Sequence, residues 1–210
     1  RAFSIIAMWM ALAPAIAPTL GGLMLLVLPW SSIFVFLAIY GGLVMILTQR
    51  YLAESLPSKQ SLRPRAILRN YGQLVADPVY LTVIIASGMT YAAMITYLSS
   101  SSFIYIEMLG VPVEYFGLIF LTTVLGYMGG SALSAKLAGK QDSESLMLIG
   151  SAIALAATVV MGVASTLYPK SIYALMLPMT FFTTALGMVL PHAMAIALRP
   201  FAHIAGTASA

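Results

Sequence analysis

The sequence predicts an all-α, polytopic membrane protein. Three observations carry that prediction. Of the 210 residues, 61% are hydrophobic and only 8% are charged, where a soluble domain carries about 25% charged residues. The mean hydropathy is +0.99. The charges are also spaced to leave apolar runs at 2–49, 78–106, 115–135, 145–169 and 171–198, and about 20 such residues cross a bilayer as a helix.

The elements follow in order. The first run is long enough for two spans, and Leu28-Pro29-Trp30-Ser31-Ser32 is the natural turn between them, with Trp30 suited to the interface. Six spans result, at 3–28, 32–49, 78–103, 115–137, 145–166 and 172–198, and a seventh begins near Phe201. The first span holds Ala13-Pro14-Ala15-Ile16-Ala17-Pro18-Thr19-Leu20-Gly21-Gly22. Each proline inside a helix in water costs about 3 kcal/mol. In a membrane, neighbouring helices satisfy the freed carbonyls. The stretch therefore reads as a bent, closely packed membrane helix.

The cations give the spans a direction. With loops alternating sides, one side holds Arg1, Arg50, Lys59, Arg63, Arg65, Arg69, Lys136, Lys140 and Arg199, and the other holds only Lys170. Cytoplasmic loops carry the excess of Lys and Arg, so the first side is cytoplasmic. This layout accounts for the net charge of +4 without nucleic acid as a partner. Residues 50–77 form the longest polar stretch and read as a linker between two helical bundles, or simply as a longer loop. The chain starts at Arg1 without a signal-peptide pattern, and Arg199–Ala210 resembles the entry to another helix, so an internal piece of a longer chain is expected.

Some chemistry is excluded. The chain has no cysteine, hence no disulfide or thiolate chemistry. No span has an Asp, Glu, Lys or Arg in its interior, which argues against a proton pump or ion channel built on these spans alone. There is no HExxH metal motif. His192 and His203 stand 11 residues apart with no carboxylate near them, so no metal site and no acid–base pair is expected. A membrane-embedded enzyme lacks its catalytic cluster here. His192 follows Pro191 near the end of the sixth span. It reads either as a titrating or substrate-touching group or, more simply, as an interfacial side chain reaching the headgroups.

Two features bear on packing and binding. Small residues recur every four positions, as Ala13, Ala17 and Gly21 in the first span and as Thr122, Gly126, Gly130 and Ser134 in the fourth. Such stripes let helix backbones approach closely. The third span is the most polar, with Thr90, Met94, Tyr97 and Ser101 on one face, Ser87 and Tyr91 on an adjacent one, and Ser99–Ser102 leading to Tyr105. Tyr and Met offer broad, adaptable contact to amphipathic ligands. Tyr91, Met94 and Tyr97, with Thr123 and Tyr127 of the fourth span, are the candidates for lining a substrate cavity; hydrogen bonding between helices is the plainer reading of the same residues. The sixth span adds Thr180, Thr183 and Thr184.

Ala13-Pro14-x-x-Ala17-Pro18-x-x-Gly21-Gly22 resembles the antiporter motif in the fifth helix of drug/proton antiporters of the major facilitator superfamily. Ala before the second proline is similar to the bicyclomycin-resistance (Bcr/CflA) branch. Gly187-Met-Val-Leu-Pro191-His-Ala-Met-Ala195-Ile-Ala-Leu198, with Ala205-Gly206-Thr207-Ala208-Ser209-Ala210, resembles that branch's tenth helix and the start of its eleventh, departing at His192 where Asn is expected. Lys136-Leu137-Ala138-Gly139-Lys140 looks like a degenerate copy of the glycine-and-basic motif that the family carries after helix 2.

The resemblance covers essentially the whole chain and implies a partial major-facilitator helix bundle. Residues 1–49 would be the last two helices of the N-terminal six-helix half, 50–77 the central cytoplasmic loop, and 78–210 the first four helices of the C-terminal half plus the start of the next. It implies multidrug efflux of small amphipathic substrates in exchange for protons, by alternating access in a bacterial inner membrane. Pro14, Ala17, Pro18, Gly21 and Gly22 would form the gating contact that closes the outer side. The proton gradient would be the energy source, with no cofactor and no metal. The family's proton-coupling carboxylates lie in earlier helices. The bilayer, substrate and protons are the expected partners, and the full-length protein is expected to be monomeric. The alternatives are a carrier for a specific metabolite, by uniport or symport, and a non-transporting structural or sensor protein.

Overall fold

The computed structural model describes residues 27–52 and 64–201, together with positions 20, 21, 24, 204 and 207. It divides into two compact units, one of Leu12–Ser61 and one of Arg1–Ala11 with Leu62–Ala210.

In the smaller unit, Leu20, Gly21, Met24 and Val27 are helical, and the Leu28 amide donates to the Met24 carbonyl at 2.8 Å. The helix stops at Leu28-Pro29, as a proline forces it to. The Ser32 hydroxyl donates to the Pro29 carbonyl at 2.7 Å, and helix α1, Ser31–Tyr51, begins. The turn expected at residues 28–32 is therefore present. Its 21 residues reach about 30 Å, one hydrocarbon thickness.

The larger unit contains α2 (Pro64–Ala76), α3 (Pro78–Ser102, continued as a π-helical turn over Phe103–Met108), α4 (Val113–Leu137), α5 (Ser143–Leu167) and α6 (Tyr173–Leu198). Five described helices are long and apolar enough to cross a membrane: Ser31–Tyr51, Pro78–Met108, Tyr115–Leu137, Ser143–Leu167 and Tyr173–Leu198. They match the second to sixth expected spans. Two details depart from the sequence reading. Residues 50–77 are not loop throughout, because Pro64–Ala76 is helical. The third span also runs on past 103, through the π turn to Met108.

Caps set the starts. Asp77 precedes Pro78, which lacks an N–H and suits the first helical position, and the Asp77 carboxylate accepts the Tyr80 amide at 2.7 Å. Asp142 caps α5 in the same way, accepting the Ser145 amide at 3.3 Å. After the π turn the chain reverses at Gly110, whose φ of +68° favours glycine.

Helices α3, α4 and α5 all pack on α6, more than half of whose residues are buried. At one end of the bundle, Leu74 of α2 meets Phe201, Ile204, Tyr80 and Leu198. At the same end the Arg199 guanidinium donates to the Glu144 carboxylate at 2.7 Å. At the other end, Tyr105, Val111 and Ile119 pack with Phe116, Ile172 and Met176. So α3 and α5 run one way and α4 and α6 the other, and the end with Leu74 and Arg199 is the basic one. The ion pair joins two exposed side chains, and such pairs contribute about 0–1 kcal/mol; its value here is as a marker of topology.

The α4–α6 seam and the candidate substrate-facing residues

The small-residue stripe of α4 faces α6 along its whole length. The Thr122 and Thr180 hydroxyl oxygens stand 3.2 Å apart. A Cβ added at Gly126 would lie 2.5 Å from the Thr180 carbonyl oxygen. One added at Gly130 would run into the Thr184 backbone, and one added at Gly187 would collide with the Tyr127 carbonyl oxygen. Ser134 ends the stripe at 2.8 Å from Nε2 of His192. These glycines let two backbones touch, and hydroxyls fill what side chains cannot.

Proline chemistry adds a further link. Pro191 has no N–H, so the Gly187 carbonyl one turn earlier loses its helical partner. The Ser131 hydroxyl of α4 donates to that carbonyl at 3.3 Å. This is the compensation that makes an interior proline tolerable in a membrane helix. Ser131 was not singled out from the sequence; its i+1 position beside Gly130 gives no hint of a carbonyl 56 residues away.

His192 corrects the interfacial reading. It is 6% exposed and bonded to Ser134, and so does not reach the headgroups. The helix runs six residues past it to Leu198, and a buried imidazole needs a partner.

The five cavity candidates separate into groups. Met94 and Tyr97 of α3 are half-buried against Ala154, Ala157, Met179, Phe182 and Ala185. The Tyr97 hydroxyl donates to the Tyr105 hydroxyl at 3.3 Å, and their rings meet edge-on. Thr123 is fully buried and donates to the Phe120 carbonyl at 2.7 Å. Tyr91 is exposed, and Tyr127, half-buried, lies beside Ser131 and within electrostatic reach of Tyr91. Tyr91 is thus the one exposed residue of the five, while Tyr127 is half-buried like Met94 and Tyr97. The other hydroxyls of α3 turn back on their own helix, Ser87 to the Val83 carbonyl and Thr90 to the Ala86 carbonyl, both at 2.8 Å. Among the described residues no buried side-chain polar atom lacks a partner. From the sequence Tyr105 stands only as the residue to which Ser99–Ser102 leads, with no role assigned. It sits beyond the expected end of the span, yet it is 0% exposed and keys α3 to α4.

A depression of about 340 Å³ opens at the end opposite the basic one, lined by Leu109, Val111, Tyr115, Ile119, Ile172 and Met176. Its walls are apolar, and it touches none of the candidate residues. Of the antiporter-like motif, Gly21 is helical, while Pro14, Ala17, Pro18 and Gly22 lie outside the described residues. Among the described residues no group of three or more His, Cys, Asp or Glu could hold a metal.

A bundle of apolar spans with one dominant basic end matches the Major Facilitator Superfamily along residues 1–210. The chain belongs to that superfamily. Members of the superfamily are transporters, not enzymes, and this one is an integral, multi-pass membrane protein. It is 29% identical over 99% of its length to "Uncharacterized MFS-type transporter YdgK" of Bacillus subtilis, covering 52% of that protein. It is 25% identical over 100% of its length to "Bicyclomycin resistance protein homolog" of Haemophilus influenzae, covering 53%. It is 26% identical over 93% of its length to "Multidrug resistance protein MdtL" of Shigella dysenteriae, covering 48%. The chain thus spans about half the length of the curated relatives it matches. In this major-facilitator chain, the α4–α6 seam is the contact in which backbone meets backbone.

Proposed function

We propose that this chain is the central part of a proton-coupled exporter of small amphipathic molecules. The observation that carries the reading is the match, along almost the whole chain, to relatives named for bicyclomycin and multidrug resistance. The proline–glycine stretch at 13–22 supports it. In this reading residues 1–49 end the first six-helix half, 50–77 link the halves, and 78–210 begin the second half, in a bacterial inner membrane. Two halves rocking about a midplane site give alternating access. Tyr91 and Tyr127 face substrate, as amphipathic side chains that stack and hydrogen-bond at once. Met94 and Tyr97 back them against α5 and α6, and Thr123 holds α4 in place. Pro14, Ala17, Pro18, Gly21 and Gly22 shape the helix that closes the outer side.

The test uses the full-length protein in a bacterium stripped of its own exporters. Expression raises resistance to several unrelated amphipathic drugs, and a protonophore abolishes the gain. Gly21→Leu removes efflux with membrane insertion unchanged. Efflux unaffected by Gly21→Leu sinks the gating role. Drug-insensitive uptake of a single metabolite into vesicles sinks the export reading.

A further inference from the structure

Helix α2 is amphipathic, and only one edge of its apolar arc is used. Leu74, at that edge, is 1% exposed and is held by Phe201 and Ile204. Moving round the helix at about 100° per residue, the next apolar side chains are Ile67, Tyr71, Val75 and Leu68. Their exposures rise in that order, 36%, 44%, 61% and 71%. The bundle therefore covers the arc on one side and leaves it open on the other. Arg65 and Arg69, both exposed, lie one turn apart on the polar face, about 60° and 100° round from Leu68.

The position of this open arc is fixed by connectivity. Asp77 alone separates α2 from the first turn of α3, and its amide donates to the Leu74 carbonyl at 3.2 Å. Leu74 also rests on the segment that follows α6. The helix is thus pinned where two spans leave the bilayer, at the basic end of the bundle. A helix with an apolar stripe and arginines on its polar face, held at that depth, has the composition of one lying in the interface plane. Arg stems lie along apolar surface while their guanidiniums reach phosphates.

We propose that α2 is a lipid-surface helix. Ile67, Leu68, Tyr71 and Val75 enter the acyl boundary of the leaflet at the basic end, and Arg65 and Arg69 hold anionic lipid headgroups. The two features that select a membrane over a protein partner are the direct continuity with a membrane span and the cationic polar face. The inference rests on the chain crossing the membrane and not on what it transports.

The chain has no cysteine, so single introduced cysteines in the full-length protein can carry nitroxide labels. Leu68→Cys, Val75→Cys and, on the polar face, Gln73→Cys are reconstituted in phosphatidylethanolamine–phosphatidylglycerol vesicles. At 68 and 75, collision with oxygen should exceed collision with a water-soluble nickel chelate several-fold, and at 73 the ratio should invert. The Arg65→Gln/Arg69→Gln pair should bring 68 and 75 several-fold closer to the ratio at 73 in those vesicles, and should change little in phosphatidylcholine alone. Labels at 68 and 75 as open to nickel as the label at 73 would overturn the proposal, since the helix then stands in water. Labels closed to both reagents would also overturn it, because the arc then meets protein. An unchanged ratio in the arginine variant would overturn the anionic-lipid assignment. None of these readouts depends on transport, so their failure is distinct from failure of the export reading.

Discussion

Helix α6 is held in two different ways on its two sides. Toward α4 it presents Thr180, Thr184 and Gly187, and backbone meets backbone across Gly126 and Gly130. Toward α5 it presents Met179, Phe182 and Val189, which fill the spaces over Gly150, Ala154 and Ala157. At Gly130 the near atoms are all Thr184 backbone, too close for any rotamer change to relieve; at Gly150 the nearest atoms are side-chain atoms of Val189 and Met188, and the Ala185 carbonyl at 3.3 Å is only slightly too close. Lipid is as apolar as leucine, so neither side is driven together by water, and close packing with weak polar contacts must suffice. The α4 side is therefore the stiff contact, and the α5 side the adjustable one. In the exchanger proposed above, with two rocking bodies, the stiff contact would belong inside a body.

The largest effect should come from Gly130→Ala. The added methyl meets the Thr184 backbone, which cannot yield without separating the helices. Overpacking costs about 1–3 kcal/mol, and this site sits at the top of that range. Gly129→Ala, one residue away, meets nothing within 4 Å. There the helix propensity of Ala should leave stability unchanged or raise it by up to about 1 kcal/mol. Resistance of the full-length protein to unfolding by dodecyl sulfate in mixed micelles checks the pair. Equal losses in both variants would remove the stiff seam from the comparison.

Gly150→Ala probes the adjustable side. Its methyl would stand 2.9 Å from Val189 Cγ2 and 3.2 Å from Met188 Cβ. Val189 is stiff in a helix, but it, Met188 Cβ and the Ala185 carbonyl at 3.3 Å need to give by only a few tenths of an ångström, so the loss should be about 1–2 kcal/mol, below that at Gly130. The same unfolding assay ranks the two. A loss larger than at Gly130 would reverse the assignment of stiff and soft sides.

Ser134 and His192 close the stiff seam at its basic end, and their bond should show as coupling. Ser134→Ala and His192→Ala each lose the 2.8 Å contact. A double-mutant cycle isolates it, with an expected value of about 0.6–1.7 kcal/mol. His192→Asn keeps a polar group at the position and should retain part of the coupling. Zero coupling would mean that both side chains are satisfied elsewhere.

The spans were legible because charge is so sparse. Each expected span ends near the first charged or turn-forming residue, and the described helices follow the second to sixth within a few residues. The stripe Thr122, Gly126, Gly130 and Ser134 was legible too, since a period of four places residues on one helix face whatever the partner. What could not be read was the partner. His192 lies near the end of a span, which is where interfacial side chains sit, and only the fold brings Ser134 from 58 residues away. The π turn over Phe103–Met108 was hidden for a related reason: Glu107 ends the charge-free run, yet the helix carries it at the membrane edge. The helix in 64–76 was visible in the spacing of Ile67, Tyr71, Leu74 and Val75, but the basic residues around it made the whole segment read as linker. The candidate cavity residues were legible only as a polar, aromatic face. Which of them stay accessible depends on how α5 and α6 cover α3.

The smallest effect expected lies outside the packed interior, at the start of α5. Asp142 is exposed, and its hydrogen bonds to Ser145 hold the carboxyl below its ordinary value of 3.8. A carboxylate depressed on folding stabilises the folded form above the unfolded value, and that contribution disappears as pH falls through the folded one. The cap should therefore be complete at neutral pH and lost only below the ordinary carboxylate range. Hydrogen exchange at the Ser145 amide should stay slow down to about pH 4 and quicken beyond the intrinsic pH trend below it. Asp142→Asn can still accept the amide hydrogen bond without ionising, so its protection should be weaker but flat with pH. Asp142→Ala should fray the first turn at every pH. The packed seams should feel none of this, because a frayed turn in the headgroup layer can satisfy its amides with water, whereas Gly130 and Thr184 have no such substitute. Should the Asn variant lose protection with the same midpoint as the Asp, the titration belongs to another group.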